Sequence, residues 1–240
     1  MTGRQWVGML LTCTLAALAG FGFAQESLGQ EATSRPAKAT VMPPDVYPES
    51  GCRLPLVKRE DLDENGKKQY DSQMGRKASG RSVAGLRGPG GLNLYSPKAA
   101  FHLSGLSNYL RYDSGMSGRV REIAILVTAR GLDHQFEWTV HEPVALKEGV
   151  PKEVIEVIKG RKSAENLPEP DATIIQLGRQ IFEQKKVSPD VFARARKLFG
   201  DRGLVELLML MGNYSAIGVL LTAVDMQLPP GADPLLPPRE

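Results

Sequence analysis

The stretch RVREIAILVTARGLDHQFEWTVHEPVALKEGVPKEVIEVIKG, residues 119–160, decides the fold class because it has the pattern of three consecutive helices. Its first part carries apolar residues at helical spacing, which predict a buried stripe: Val120, Ile123, Leu126 and Val127. This helix is expected to end at Gly131, and Asp133 is placed to cap a second helix that continues to Gly149. A third helix is expected to end at Gly160.

The rest of the chain also has helical patterns, and no run of alternating β-branched residues is bounded by hairpin turns. Ser-Pro pairs at 96–97 and 188–189 mark helix starts, the second helix ending at Gly200. The helix expected over 201–226 is apolar on nearly every side, which favours burial in a core or a subunit interface. The sequence therefore predicts an all-α, compact helical domain that assembles as an oligomer.

The two ends of the chain differ from its middle. Residues 1–24 form a short apolar run that closes with small residues, which predicts a signal peptide, export to the periplasm or medium, and no membrane span after its removal. Residues 25–52 are rich in Pro, Ser, Glu and Gly, which indicates a flexible linker. The helical domain is assigned to 53–227, and the proline-rich tail over 228–240 cannot continue a helix.

Charge and cysteine content narrow the function. The net charge of +3 is not concentrated in a basic block, so a small-molecule partner is expected rather than a nucleic acid. The two cysteines are Cys13 and Cys52, and removal of the signal peptide leaves Cys52 alone. A single thiol provides neither an intramolecular disulfide nor a two-cysteine redox cycle.

The octapeptide HQFEWTVH, residues 134–141, concentrates chemically active side chains. At about 100° per residue, a helix places His134, Glu137, Trp138 and His141 on one face. Acid–base chemistry is one interpretation, since a histidine beside a carboxylate moves protons near neutral pH. A metal site is a second, although the two histidines lie roughly 10 Å apart along the axis and lack zinc-peptidase spacing. A polar seam between packed helices is the third.

Three motifs in residues 119–160 carry a resemblance to a known family: R-E-x-A-I-L-x-x-A-R, E-W-x-x-H and A-x-x-x-G-V. With them the chain resembles the carboxymuconolactone decarboxylase-like family of the alkylhydroperoxidase D superfamily. Similar segments follow the family's order at 54–71, 88–113 and 201–226. The resemblance implies an all-helical fold that assembles into trimers or hexamers.

The resemblance also implies positions of functional residues. Glu122 matches the glutamate of the peroxidase branch and His141 matches its histidine, whereas His134 and Glu137 stand where that branch has its two redox cysteines. Reduction of peroxide through a disulfide requires both thiols. The peroxiredoxin activity that often accompanies the family name is therefore not expected here.

The decarboxylase branch implies cofactor-free acid–base decarboxylation or isomerisation of a small carboxylated or lactone substrate. His141 is expected to be the principal acid and base and Glu122 its partner, with Glu137 and His134 as further catalytic candidates.

Trp138 and Arg130 are candidates for substrate binding, and neither a metal nor another cofactor is expected. Two alternatives stay open. One is a ligand-binding scaffold without turnover, and the other is a metal-dependent enzyme that uses His134, Glu137 and His141.

Overall fold

The computed structural model describes residues 42–75 and 86–237. Eight α-helices and no β-strand form this part of the chain, which confirms the predicted all-α class. They are α1 (Glu64–Gly75), α2 (Pro89–Leu92), α3 (Pro97–Asn108), α4 (Gly118–Gly131), α5 (Gln135–Lys147), α6 (Lys152–Lys159), α7 (Glu169–Arg179) and α8 (Pro189–Ala223). The predicted signal peptide and most of the predicted linker lie outside the described residues.

Helix α4 is the centre of the domain. It contacts α5, α6, α7 and α8, so residues 122–129 are buried around the whole circumference of the helix. Ile123, Ile125 and Leu126 have no exposed surface, and each such side chain contributes about 1.5–3 kcal/mol of burial. The predicted one-sided stripe was therefore too narrow, and its first member, Val120, is only partly buried.

A glycine on α7 allows close packing against α4. A Cβ atom at Gly178 would lie 2.1 Å from Cγ1 of Val127, which is closer than any side chain tolerates. We infer that only glycine fits at this contact between the two helices. The resulting close packing helps to fix α4, and with it the side chains that α4 presents towards α5.

Side chains at the helix starts accept backbone hydrogen bonds. Ser117 and Ser188 each accept from the amide three residues on and cap α4 and α8. At the start of α3 the predicted boundary is confirmed, but the Ser96 side chain makes no capping hydrogen bond. The prediction that Asp133 caps α5 is wrong, because Asp133 has left-handed backbone (φ 51°) and His134 occupies the capping position.

Helix α8 is interrupted at Gly200, whose φ of 70° and ψ of 171° favour glycine. This break corresponds to the predicted boundary between two helices. After it, Leu207 and Leu210 pack in the core, whereas Met209 is 50% exposed and Val219 is 66% exposed. The single chain therefore leaves one side of this helix uncovered, and burial of that side in a subunit interface stays a prediction.

By length and composition, α8 is the one helix in the described part of the chain that could cross a membrane. Core helices of globular proteins pass the same test. Leu207 and Leu210 belong to the hydrophobic core around α4, so α8 packs here as a core helix with one uncovered side.

The segments that flank the helical domain contact it. The amide of Arg53 donates to the Val224 carbonyl at 2.8 Å, and the amide of Gln227 donates to the Gly51 carbonyl at 2.8 Å. Leu236, in the proline-rich tail, is buried as part of the core. The end of the predicted linker and part of the tail thus lie on the domain.

Candidate active site

A cavity of about 560 Å³ lies beside α5. Small-molecule sites usually measure about 300–1,000 Å³. Apolar side chains from α3, α5 and α8 make up much of its wall. Polar side chains from three helices and one turn also reach it, among them Asn108, Arg111, Glu137, His141 and Tyr214. The cavity therefore combines apolar surface with a small group of titratable side chains.

Two carboxylates flank the imidazole of His141. Nδ1 of His141 lies 2.8 Å from Oε2 of Glu122, a hydrogen bond between α5 and α4. On the other side of the ring, Nε2 lies 3.5 Å from Oε2 of Glu137, one helical turn earlier on α5. All three side chains are buried, so their charges act in a medium of low polarity.

Glu122 is the ionised member of this triad. Burial pushes its pKa upward, but the hydrogen bonds and charges of His141 and Arg121 outweigh burial, and the pKa lies below its ordinary value. Nε of Arg121 contributes a 3.3 Å hydrogen bond to Oε1. An ionised Glu122 can only accept, so Nδ1 of His141 carries the proton and Nε2 is left as the basic nitrogen.

The pKa of Glu137 is shifted in the opposite direction to that of Glu122. Burial raises its pKa, and the charges of His141 and Arg111 compensate only in part. Its carboxyl group therefore holds a proton at higher pH than an ordinary glutamate. Two carboxyl groups with divergent pKa values around one imidazole are a pattern of acid–base sites, in which one group accepts and the other donates protons.

Tyr214 of α8 completes the site. Its ring meets the His141 ring edge to face, with ring centroids 5.1 Å apart and planes at 87°. Burial raises the pKa of Tyr214 well above its ordinary value, so the phenol stays neutral. The contact fixes the plane of the imidazole and places a neutral hydroxyl-bearing ring on the cavity wall.

The structure gives His134 a structural role. Its backbone (φ −89°, ψ 93°) is not helical, and its Nδ1 accepts the Glu137 amide at 3.2 Å. The ring packs next to α8, where a Cβ at Gly218 would lie 3.2 Å from Cδ2 of His134. His134 does not line the cavity. The predicted common face of the octapeptide therefore begins at Glu137, because the helix starts only after His134.

The two predicted substrate-binding residues also lie away from the cavity wall. Trp138 is fully buried, and its indole N–H donates to Glu142. Arg130 donates from Nε to the Lys159 carbonyl at 2.7 Å and from Nη1 to Asp133. Both side chains thus have structural partners.

The positions of the potential metal ligands and of the described cysteine concern two alternative functions, a metal-dependent enzyme and a thiol-based peroxidase. Within the described ranges, no group of three or more His, Cys, Asp or Glu side chains is arranged to hold a metal ion. Cys52 is buried elsewhere, where its thiol donates to the Leu54 carbonyl at 3.3 Å. Of the described residues that line the cavity, none is a cysteine.

Two cavity residues, Arg111 and Tyr214, were not predicted. Tyr214 belongs to an apolar helix whose inner face could not be identified from its own composition. Arg111 lies in a π-helical turn, Tyr109–Asp113, that extends α3 and departs from the 3.6-residue period used to assign faces. Neither position has a local sequence signal.

Glu137→Gln is expected to stabilise the fold increasingly as the pH rises above 4.5, the ordinary glutamate value. Because the folded-state pKa of Glu137 is raised, the folded wild type keeps this proton while the unfolded chain loses it. Wild-type stability thus falls through this window, by at most about 1.4 kcal/mol per pH unit. Glutamine removes the effect, which urea denaturation between pH 4 and 8 would measure.

The control for that experiment is Glu153→Gln, which removes a charge from the exposed first turn of α6. Parallel stability curves for wild type and Glu137→Gln would contradict the raised pKa of Glu137.

Comparison with solved structures identifies the fold as that of alkylhydroperoxidase D-like proteins, which the sequence resemblance implied. One match is a protein of unknown function from Agrobacterium tumefaciens with a suggested AhpD antioxidant-defence role. Its TM-score is 0.52 at 17% identity, over 57% of this chain and 95% of the other.

A second match is an uncharacterised peroxidase-related protein from Ralstonia eutropha with an alkylhydroperoxidase AhpD core. Its TM-score is 0.53 at 12% identity, over 75% of this chain and 93% of the other. At these identities the similarity establishes the fold. No protein-family profile and no curated protein sequence matches the chain.

Proposed function

We propose that this chain is an exported, cofactor-free acid–base enzyme that decarboxylates or isomerises a small carboxylated or lactone substrate. One observation carries the proposal. The imidazole of His141 lies between an ionised Glu122 and a Glu137 with raised pKa, next to a cavity of about 560 Å³. No cysteine is found among the described residues that line this cavity, which disfavours thiol-based peroxide reduction.

The proposed reaction is a proton transfer at carbon. Nε2 of His141 removes a proton from the carbon next to a carbonyl group, and the electron pair moves onto the carbonyl oxygen. Glu122 stabilises the imidazolium that forms. In isomerisation the proton returns at a more distant carbon of the conjugated system, and the double bond shifts. In decarboxylation the C–C electron pair enters that system, CO₂ leaves, and a proton from the triad completes the product.

Exchange of carbon-bound protons with solvent tests this function before the natural substrate is identified. The mature chain is incubated in D₂O with a panel of small unsaturated lactones and keto acids, and proton NMR follows deuterium incorporation. We expect enzyme-dependent exchange in at least one compound. Peroxide consumption that depends on Cys52, with no exchange across the panel, would contradict the proposal.

The scaffold alternative makes a different prediction in the same samples. A protein that only binds ligands would show saturable chemical-shift changes without deuterium incorporation. The divergent pKa values of Glu122 and Glu137 favour turnover over binding alone, because titratable groups with opposed pKa shifts are typical of acid–base sites.

Assembly into a homo-oligomer, a trimer or hexamer as the resemblance implies, is also part of the proposal. A stripe of exposed apolar and small residues runs along α8 at intervals of three and four residues: Val205, Met209, Gly212, Ala216, Val219 and Ala223. We call it the α8 stripe. Contiguous apolar surface of this kind is typical of protein interfaces.

Val219→Glu is expected to dissociate the assembly, because it places a charge within the proposed interface, where water is excluded. Light scattering coupled to gel filtration would show a shift to a smaller mass. Lys98→Glu, on the exposed first turn of α3, is the control for an added negative charge. A monomeric wild-type chain, or an unchanged mass for Val219→Glu, would contradict the role of the α8 stripe.

A further inference from the structure

Arg111 is a cavity residue with an unpaired side-chain nitrogen. Its Nε atom is buried and has no hydrogen-bond partner among the described residues. A buried donor without a partner destabilises the fold, more so when it is charged, so such a group usually has a role. The other arginine on the cavity wall, Arg87, donates from Nη2 to the Pro48 carbonyl.

Arg121, which hydrogen-bonds Glu122, also holds the backbone at Arg111. Arg111 is the middle residue of the π-helical turn Tyr109–Asp113. Nη1 of Arg121 donates to the Arg111 carbonyl at 2.7 Å, while Nε of the same side chain bonds Glu122. The Arg111 guanidinium also lies 5.2 Å from the centre of the Tyr112 ring. Arg121 thus couples the position of Arg111 to that of the triad.

The described side chains on the cavity wall carry more positive than negative charge, with two arginines, Arg87 and Arg111, and one carboxylate, Glu137. Glu122 is paired with Arg121 at 3.3 Å. Glu137 has a raised pKa and carries its full negative charge only at higher pH. None of the described carboxylates forms an ion pair with Arg111, which lines the cavity, so its positive charge is available to a ligand. An anionic ligand in the cavity would restore the balance by pairing with the Arg111 guanidinium.

We propose that Arg111 binds the carboxylate of a monocarboxylic acid with an apolar body, and that this acid is the substrate class of the site. The inference rests on the proposed acid–base function. The apolar body is assigned to the wall formed by Leu103, Val140, Ile217 and Leu221. With the carboxylate at Arg111, the rest of the molecule extends towards His141 and Glu137, which line the same cavity.

This assignment favours isomerisation over loss of the bound carboxylate. During decarboxylation, negative charge moves from the carboxylate into the remaining molecule. An ion pair with Arg111 stabilises the starting carboxylate and is lost in that transition state, so it would slow the reaction. During proton transfer at a neighbouring carbon the carboxylate keeps its charge. The Arg111 contact then serves as a fixed handle throughout the reaction.

Benzoate and its uncharged analogue benzamide test the assignment without requiring turnover. Binding of each compound to the full mature chain is measured by ligand-observed NMR titration. We expect benzoate to bind more tightly than benzamide, and Arg111→Gln to weaken benzoate by about 10- to 100-fold, as for a lost charge-assisted hydrogen bond. Benzamide binding should change little. Lys98→Gln, which removes a cation from the exposed first turn of α3 away from the cavity, is the control, and we expect it to bind benzoate like wild type.

The outcomes separate this inference from the proposed function. Equal binding of benzoate by wild type and Arg111→Gln, equal binding of benzoate and benzamide by wild type, or no benzoate binding would overturn the role of Arg111, even if deuterium exchange occurs. Selective benzoate binding that depends on Arg111 would support it, even if no compound undergoes exchange. Thermal denaturation of Arg111→Gln verifies that a loss of binding does not reflect unfolding.

Discussion

His141→Ala is expected to lower deuterium exchange by about 10²- to 10⁴-fold, the range typical of a positioned general acid or base. The imidazole is the group through which both carboxylates of the triad act. Glu122 hydrogen-bonds one ring nitrogen and Glu137 lies 3.5 Å from the other. Removing the ring leaves two buried carboxyl groups without the base between them. Proton NMR in D₂O, at substrate concentrations that saturate the wild type, measures the effect.

The chain provides its own matched control in His134→Asn. His134 belongs to the same octapeptide and is similarly buried, but it caps α5 and does not line the cavity. Asparagine is a good capping residue, so this variant should fold and retain exchange. If His134→Asn lost exchange as completely as His141→Ala, the assignment of the two histidines would be wrong.

The sequence predicted the fold well because its main signals are local. Helical periodicity and the boundaries at Gly131, Gly160 and Ser188 depend only on neighbouring residues. The errors concern which sides of a helix are buried, because this depends on the helices that pack around it. Nothing within α4 reveals that four helices surround it, and nothing within the apolar α8 reveals which side stays uncovered.

The candidate site was predictable only in part, for similar reasons. Glu122 and His141 were assigned through motif positions, and the structure brings them into contact. His134 was assigned through its motif position and through a common helical face, but α5 starts only at the next residue, so His134 does not share that face. Arg111 reaches the cavity through a π-helical turn, and Tyr214 reaches the site through its ring contact with His141. Such contacts between distant segments have no signature in the local pattern.

Glu122→Gln is expected to reduce both exchange and stability. The glutamine amide can donate to Nδ1 of His141 and so favour the tautomer that carries its proton on Nε2, where the base is needed. A comparable loss of the orienting carboxylate in serine proteases lowers kcat by about 10⁴-fold. We therefore expect exchange to fall by about 10²-fold or more, as measured by the same NMR experiment.

The stability effect has a defined dependence on pH. The folded-state pKa of Glu122 is lowered through its contacts with His141 and Arg121, so its contribution is fully present above the ordinary value of 4.5. It is lost as the pH falls below 4.5 through the folded-state pKa. Removing one partner of a buried pair costs about 3–5 kcal/mol, and we expect the lower end because Arg121 keeps its contacts with Glu148 and the Arg111 carbonyl.

Urea denaturation at pH values above and below 4.5 measures this effect. Glu148→Gln is the control, because it removes the half-exposed carboxylate that lies 3.6 Å from Arg121. We expect this control to lower the free energy of unfolding by less than about 1 kcal/mol. The Glu122→Gln deficit should shrink in acid, whereas the advantage of Glu137→Gln should grow towards alkaline pH. Opposite trends are required if the pKa of Glu122 is lowered and the pKa of Glu137 is raised. If Glu122→Gln lowered the free energy of unfolding equally at pH 3 and pH 7, Glu122 would not be the ionised partner of His141. The assignment of the proton to Nδ1 and of the base to Nε2 of His141 would then be wrong.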